Sequence, residues 1–400
     1  MLTTGHKVII WGVDNFNTLG LLRALGPSGT DLFLLIYGKR TGCASSSRWC
    51  GKIFEAGSIE EGAEYLFGHF AQEIDKPVII TPGDEIIEYI DQHKTEFERC
   101  FIVPGTTEAG VLTKYDNKIE MAQLAKEVGI DVPFSMVCRH DSDLDEVPFP
   151  CFLKPSHIKK NHKNEFKCKR VETRKELVHT LRYVRKDSEF LLQQYIPAEK
   201  ECVVSGCRMM DGKTVIAGCY TTLRYADDGN SSYARIDAEI PPCIDTKRIE
   251  AFLNRIDYHG LFGFEYGLYQ GKAYFFEVNL RNDGTSQTFF LAGANRPLAW
   301  VYSACGLDYT EVGMSVVKAG TFMDELMDIS NVWHRRIGRS EWRKQREKAT
   351  YLKYYNEEDM QPYRVMKKQR WHLLLQYAVV KRFRLYIVYL MDKVKVCSIH

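Results

Sequence analysis

An α/β first third followed by an α+β remainder is the fold class the sequence predicts, and three observations predict it. Short apolar runs alternate with helical patterns over the first hundred residues. From residue 190 to 284, paired runs with period-2 alternation are joined by turn glycines. From Asn331 onward the chain carries 17 Lys+Arg against 6 Asp+Glu, whereas the preceding 330 residues carry 37 against 46. The last segment is therefore expected to be a basic, mainly helical extension on an acidic body, with a patch for anionic partners.

Length and composition bound the rest. Four hundred residues allow two to three domains with sizeable cores. Apolar content of 45% and charged content of 26% exclude the disordered and fibrous classes. The start, MLTTGHKVII, lacks a long apolar stretch after a basic one, so no secretory leader is expected. Twelve cysteines are scattered without a C-x-x-C pair, which argues against zinc and for a reducing cytosol.

Taken in order, Lys7–Trp11 is a buried strand that ends in Gly12-Val13-Asp14-Asn15. A helical pattern through Leu19, Leu22 and Leu25 follows, closed by Gly26-Pro27, and Asp31–Tyr37 is the next strand. Strand, helix and strand make a βαβ unit with a parallel sheet. Lys76–Thr81 and Cys100–Val103 continue the alternation. The G-x-G-x-x-G spacing is missing, so a dinucleotide site is not expected. Ser45-Ser46-Ser47-Arg48 lies at the ligand end of such a sheet and reads equally as pocket lining or surface loop.

A second organisation begins near Lys114. Tyr115-Asp116-Asn117-Lys118 leads a helix through Met121, Leu124 and Ala125, and Gly129 sits where a helix-ending glycine belongs. Pro148–Pro155 is an apolar strand that presents Lys154, a charge that must reach water or an anion. Ser156–Arg170 contains Lys159, Lys160, Lys163, Lys167, Lys169 and Arg170 but no glycine, and is expected to close over an anionic ligand. Phe190–Tyr195 is a strand leading into Ile196 and Glu201, and Asp211-Gly212-Lys213 marks a hairpin whose second strand ends near Arg224.

The segment Gly260–Gly284 concentrates the chemistry. Alternation over Phe262–Leu268 and again over Ala273–Leu280 predicts a hairpin, with Glu277 and Asn279 on one face and Phe276 and Val278 on the other. A two-residue loop at Gln270-Gly271 would turn Glu265 away from that pair. A three-residue loop with Gly271 in the left-handed region would bring Glu265, Glu277 and Asn279 together, and this register is the one expected. Three oxygen ligands on one face suit a hard divalent cation.

Phe276-Glu277-Val278-Asn279-Leu280-Arg281 resembles the E-x-N-x-R strand of the ATP-grasp superfamily. Lys118, eleven residues before Gly129, resembles the entry-helix lysine of that family, and Lys154 its second phosphate lysine. The resemblance covers roughly residues 5–315. It implies a Rossmann-like pre-ATP-grasp domain (1–113), a two-lobed ATP-grasp domain (114–315) and the basic extension (316–400). It further implies ATP and two Mg2+ ions as cofactors, with Mn2+ as a substitute. Glu265, Glu277 and Asn279 would hold the metal, Lys118 and Lys154 the phosphates, Gln194, Tyr195 and Ile196 the adenine, and Glu201 the ribose. Arg281, Lys154 and Arg224 would assist catalysis.

The implied activity is ATP-dependent carboxylate–amine ligation through an acyl phosphate, closest to the D-aspartate ligase-like branch. Its substrates would be small molecules or cell-envelope precursors, with no nucleic acid partner. A homodimer is compatible with this reading. The location would be cytoplasmic, with the basic extension suiting peripheral contact at the inner membrane surface. A kinase on the same scaffold and a non-catalytic nucleotide-binding scaffold are the alternatives.

Overall fold

Buried strands flanked by helices read as unbroken apolar runs, and four short runs form the N-terminal sheet in the computed structural model, which describes residues 5–155, 168–227 and 229–371. They are Val8–Gly12 (β1), Leu32–Tyr37 (β2), Lys52–Ala56 (β3) and Val78–Ile80 (β4), parallel and ordered β3-β2-β1-β4. β3 was not expected, because its exposed Lys52 and Glu55 dilute the apolar signal at the sheet edge. The expected strand at Cys100–Val103 is reduced to one parallel bridge, Val78 to Ile102. The preceding helix claims its first residue.

The helices of this unit are Phe16–Leu25 (α1), Ile59–Phe70 (α2), Asp84–Gln92 (α3) and Lys94–Cys100 (α4). Asn15 caps α1, its side chain accepting from the Asn17 and Thr18 backbone N–H groups. α1 is buried almost all round, because the sheet covers one side and the C-terminal half of the chain covers the other.

The chain leaves through Gly105–Thr106 (β5), Val111–Asp116 (α5) and Lys118–Glu127 (α6). α6 starts at its Asn117 cap, and Gly129 follows it at φ +84°. There the Ile130 N–H reaches back to the Ala125 carbonyl, which ends the helix as the sequence predicts. Ser135–Cys138 (β6), Cys151–Pro155 (β7), Lys169–Val171 (β8) and Phe190–Gln194 (β9) then form an antiparallel sheet ordered β6-β9-β7-β8. Arg174–Leu181 (α7) covers one face of it through Leu177 and Leu181, which pack with Cys151, Leu153 and Leu192.

The largest sheet has eight strands. Lys200–Arg208 (β10), Thr214–Tyr225 (β11), Ser231–Asp237 (β12), Tyr258–Tyr269 (β13), Lys272–Asn279 (β14), Gly320–Met323 (β15) and Tyr351–Leu352 (β16) follow the order β14-β13-β10-β11-β12-β15-β16, and β5 pairs with β13. Thr246–Arg255 (α8) buries Ile249, Phe252 and Leu253 against Phe264 and Phe275. Ser286–Leu291 (α9) and Arg296–Ala304 (α10) join this half to α1. Ser330–Trp333 (α11) and Arg339–Lys348 (α12) follow, and a further helix begins at residue 361. The stretch expected to be mainly helical thus also adds two strands to the central sheet. The apolar run from Trp371 lies outside the described residues beyond its first position, as do residues 156–167 of the lysine-rich loop.

One buried ion pair ties these pieces together. Arg23 on α1 donates from Nε to Asp359 Oδ2 at 2.9 Å, from Nη2 to the Tyr354 carbonyl at 3.0 Å, and from Nη1 to Gln287 at 3.1 Å. Asp359 also accepts from Ser47 Oγ and from the Arg48 backbone N–H, both at 2.8 Å. The Ser45–Arg48 loop is therefore largely a strut. Both partners of the pair are 1% exposed, so removing one strands a charge. Arg23→Ala should lower unfolding free energy by about 3–5 kcal/mol, read by urea denaturation; a loss below about 1 kcal/mol would show that the network is dispensable.

Candidate functional site

The hairpin of β13 and β14 carries the acids, but not by the expected turn. Tyr269 pairs with Lys272, so the loop has two residues, and Gln270 and Gly271 both adopt positive φ (49° and 75°). This is the type I′ geometry that matches strand twist. Alone it would leave Glu265 opposite Phe276, on the wrong face. A β-bulge in β14 corrects this: Tyr266 pairs with Phe275, Glu265 pairs with Glu277, and Phe276 is the extra residue. Glu265, Glu277 and Asn279 do share a face, by a bulge rather than by loop length.

The bulge has a second effect. It keeps Phe275 in the core at 1% exposure and turns Phe276 onto the face of the acids. The ring lies over Gly267, where a Cβ would come within 2.3 Å of it. The sequence placed Phe276 on the apolar face; the structure places it in the cavity.

Around the acids, Asn279 Nδ2 donates to Glu265 Oε1 at 3.0 Å, and Lys118 Nζ donates to Glu277 Oε2 at 2.6 Å. Burial raises the Glu265 carboxyl to about 7, with Glu277 and Asp283 adding like-charge repulsion. Burial pulls the Lys118 ammonium down, but the pairing with Glu277 outweighs it and the net shift is upward. Lys154 is pulled down, by burial first and then by the charge of Lys118. Two lysines in mutual repulsion beside two carboxylates in mutual repulsion form a site short of both an anion and a cation. Among the described residues no three His, Cys, Asp or Glu side chains cluster for a metal; the set here is two acids and one amide. That donor set, with the burial of Glu265 only partly offset by Asn279, fits a hard divalent ion.

Strand alternation also orients the side chains of the β6-β9-β7-β8 sheet. Phe152 and Lys154 on β7 lie opposite Gln193 and Leu191 on β9. Lys154 donates to Gln193 Oε1 at 2.7 Å, so Gln193 presents its side chain beside the lysine. Gln194 pairs with buried Cys151, and its backbone N–H bonds to the Phe134 carbonyl. The Tyr195 ring is held by Phe152 at 5.5 Å and by Arg170 at 3.9 Å, and Ile196 is buried.

Of the remaining expected residues, Glu201 accepts from the Tyr225 hydroxyl and lines the cavity. Arg281 also lines it but is clasped by Asp84, the first residue of α3. Arg224 is elsewhere. Its guanidinium grips buried Asp328 at 2.9 and 2.6 Å and Gln345 at 3.0 Å, holding α11 and α12. The sequence had no means of seeing Asp328, 104 positions away.

The cavity measures about 610 Å³. Its lining includes Glu201, Tyr225, Phe276 and the acids together with Asn15, Asn17, Asp283 and Lys353. Lys353, Asp283 and Gln193 were not read from the sequence. Neither Lys353 nor Asp283 belongs to a local motif.

With the geometry in hand, comparison decides the fold. No family model matches the chain. N5-carboxyaminoimidazole synthetase from Staphylococcus aureus, complexed with ADP, superposes with a TM-score of 0.64 over 85% of this chain and 87% of its own, at 13% identity. The chain has the ATP-grasp fold. An L-amino acid ligase from Bacillus licheniformis superposes at a TM-score of 0.58 over 79% of each chain, at 13% identity. By sequence, the chain is 23% identical over 211 residues to formate-dependent phosphoribosylglycinamide formyltransferase of Sulfurisphaera tokodaii, a match spanning 49% of this chain and 53% of that protein. Among the described residues no helix is long and apolar enough to cross a membrane.

The Glu265 shift fixes a pH dependence. Its folded value of about 7 exceeds the ordinary 4.5, so the folded protein keeps a proton that the unfolded chain releases between those limits. Without metal, this contribution is fully present below about 4.5 and lost as pH rises through 7, amounting to about 3 kcal/mol. Glu265→Gln should therefore raise the metal-free melting temperature at pH 8 and leave it unchanged at pH 4.5. Equal shifts at both pH values would refute the assignment.

Proposed function

We propose that the protein is an ATP-dependent carboxylate–amine ligase: ATP activates a carboxylate as an acyl phosphate, and an amine displaces the phosphate. One observation carries this reading. Glu265, Glu277 and Asn279 converge on one face of a hairpin, with Lys118 bonded to Glu277 and Lys154 within its electrostatic reach. Such an arrangement positions and neutralises a polyphosphate without a covalent nucleophile.

Within the proposal, Phe276 packs the base, the β9 end with Gln194, Tyr195 and Ile196 reads its edge, and Glu201 takes the ribose hydroxyls. Lys118 and Lys154 hold the phosphates. Mg2+ bound by Glu265, Glu277 and Asn279 would neutralise charge on the transferring phosphoryl. Arg281, freed from Asp84, would stabilise the oxyanion formed at the acyl carbon. Arg224 has no part. An envelope precursor as substrate is the finer form of the proposal and rests on the resemblance to the D-aspartate ligase-like branch and on the basic charge of the C-terminal segment; peripheral contact with an anionic membrane rests on that charge.

The test is an ADP-release screen over acid and amine pairs, including amino acids and envelope precursors, with product masses measured. Amine-dependent ADP release with an amide product is expected. A stable phosphoester would replace the ligase by a kinase, and Mg-ATP binding without turnover would replace it by a scaffold. Lys154→Ala and Glu277→Gln should each reduce kcat by about 10²–10³-fold, while Arg224→Lys should leave the ATP KM unchanged.

A further inference from the structure

Asp283 has no role in the machinery above, yet it lines the cavity at 7% exposure. Its Oδ1 accepts from the Thr285 backbone N–H at 2.9 Å and lies 3.5 Å from buried Arg296. Its Oδ2 has no hydrogen-bond partner. A buried carboxylate oxygen without a donor costs free energy unless a ligand supplies one. The position of that oxygen is informative: a Cβ built on Gly263 would lie 2.5 Å from it. Gly263 points to the same face of β13 as Glu265 and pairs with Asn279. The orphan oxygen therefore sits beside the acids, about 7 Å along the strand from Glu265.

The lining of the same cavity includes a cation, Lys353, whose backbone and side chain are both held in place. Both carboxylate oxygens of Glu325 accept backbone N–H groups of residues 353–355, at 2.9, 3.0 and 2.8 Å. Lys353 Nζ is set 2.9 Å from Asp324 and 4.7 Å from the centre of the Phe16 ring. A carboxylate short of a donor and a fixed ammonium in one cavity match a ligand that carries both charges.

We propose that the acceptor is a small amino acid, its ammonium held at Asp283 Oδ2 and its acid group at Lys353. The inference rests on the ligase reading. The acceptor nitrogen gives one proton to Asp283, which returns it to solvent. Its lone pair then forms the C–N bond, the C–O bond to phosphate breaks, and the second proton leaves with the phosphate.

The experiment uses the full chain with Mg-ATP and hydroxylamine, a neutral nucleophile that needs neither anchor. Hydroxamate formation identifies the donor acid. Each amino acid is then compared with the amine lacking its carboxylate. The wild type should use the amino acid at least about tenfold better. Asp283→Asn should cut amide formation about ten- to hundredfold and leave hydroxamate formation within about threefold. Lys353→Met should erase the preference for the amino acid, and it carries the test if Asp283→Asn does not fold. Equal use of both amines, or equal loss of amide and hydroxamate in Asp283→Asn, overturns the inference and leaves the ligase standing. No hydroxamate from any acid overturns both.

Discussion

Two carboxylates placed directly opposite each other on antiparallel strands repel, and that repulsion between Glu265 and Glu277 is the constraint around which the site is arranged. A hairpin built for stability would not choose it. Here the cost is met in parts: Lys118 pairs with Glu277, Asn279 donates to Glu265, and Glu265 retains a strongly raised affinity for its proton. What remains uncompensated is the electrostatic demand for a cation. Lys154, pulled down by burial and by the charge of Lys118, shows the complementary demand for an anion.

The bulge in β14 is what makes this arrangement compatible with a core. In a regular two-residue hairpin, one parity serves both strands from end to end. The extra residue switches that parity midway. Phe275 and Val278 can then both face α8 and its neighbours, while Phe276, Glu277 and Asn279 all face the cleft. Five consecutive residues thus serve two environments. A single deletion in this stretch would exchange them.

Much of this was legible in the chain because it is local. The βαβ start, the helix ending at Gly129, the strand presenting Lys154 and the hairpin acids all follow from periodicity and turn residues within short windows. What was missed is either subtle or distant. The type I′ turn with a compensating bulge yields the same convergence as the longer loop, so the pattern of acids could not separate them. Gln193 gave no signal of its own, since adjacent glutamines differ only in which face their strand presents. Arg224 looked available until folding brought Asp328 to it, and Lys353 looked like one more charge in a basic tail until folding brought it to Phe16.

The placement of residues 351–359 bears on how the polypeptide divides. They include β16 of the central sheet, supply the Tyr354 carbonyl and the Asp359 carboxylate to Arg23, and present Lys353 to the cavity. A fragment trimmed at the motif-bearing region's apparent edge, near 315, would therefore expose a sheet edge at β12 and strand the guanidinium of α1 within the interior. Residues 320–359 are thus bound into the body that precedes them, well beyond the last recognisable signature.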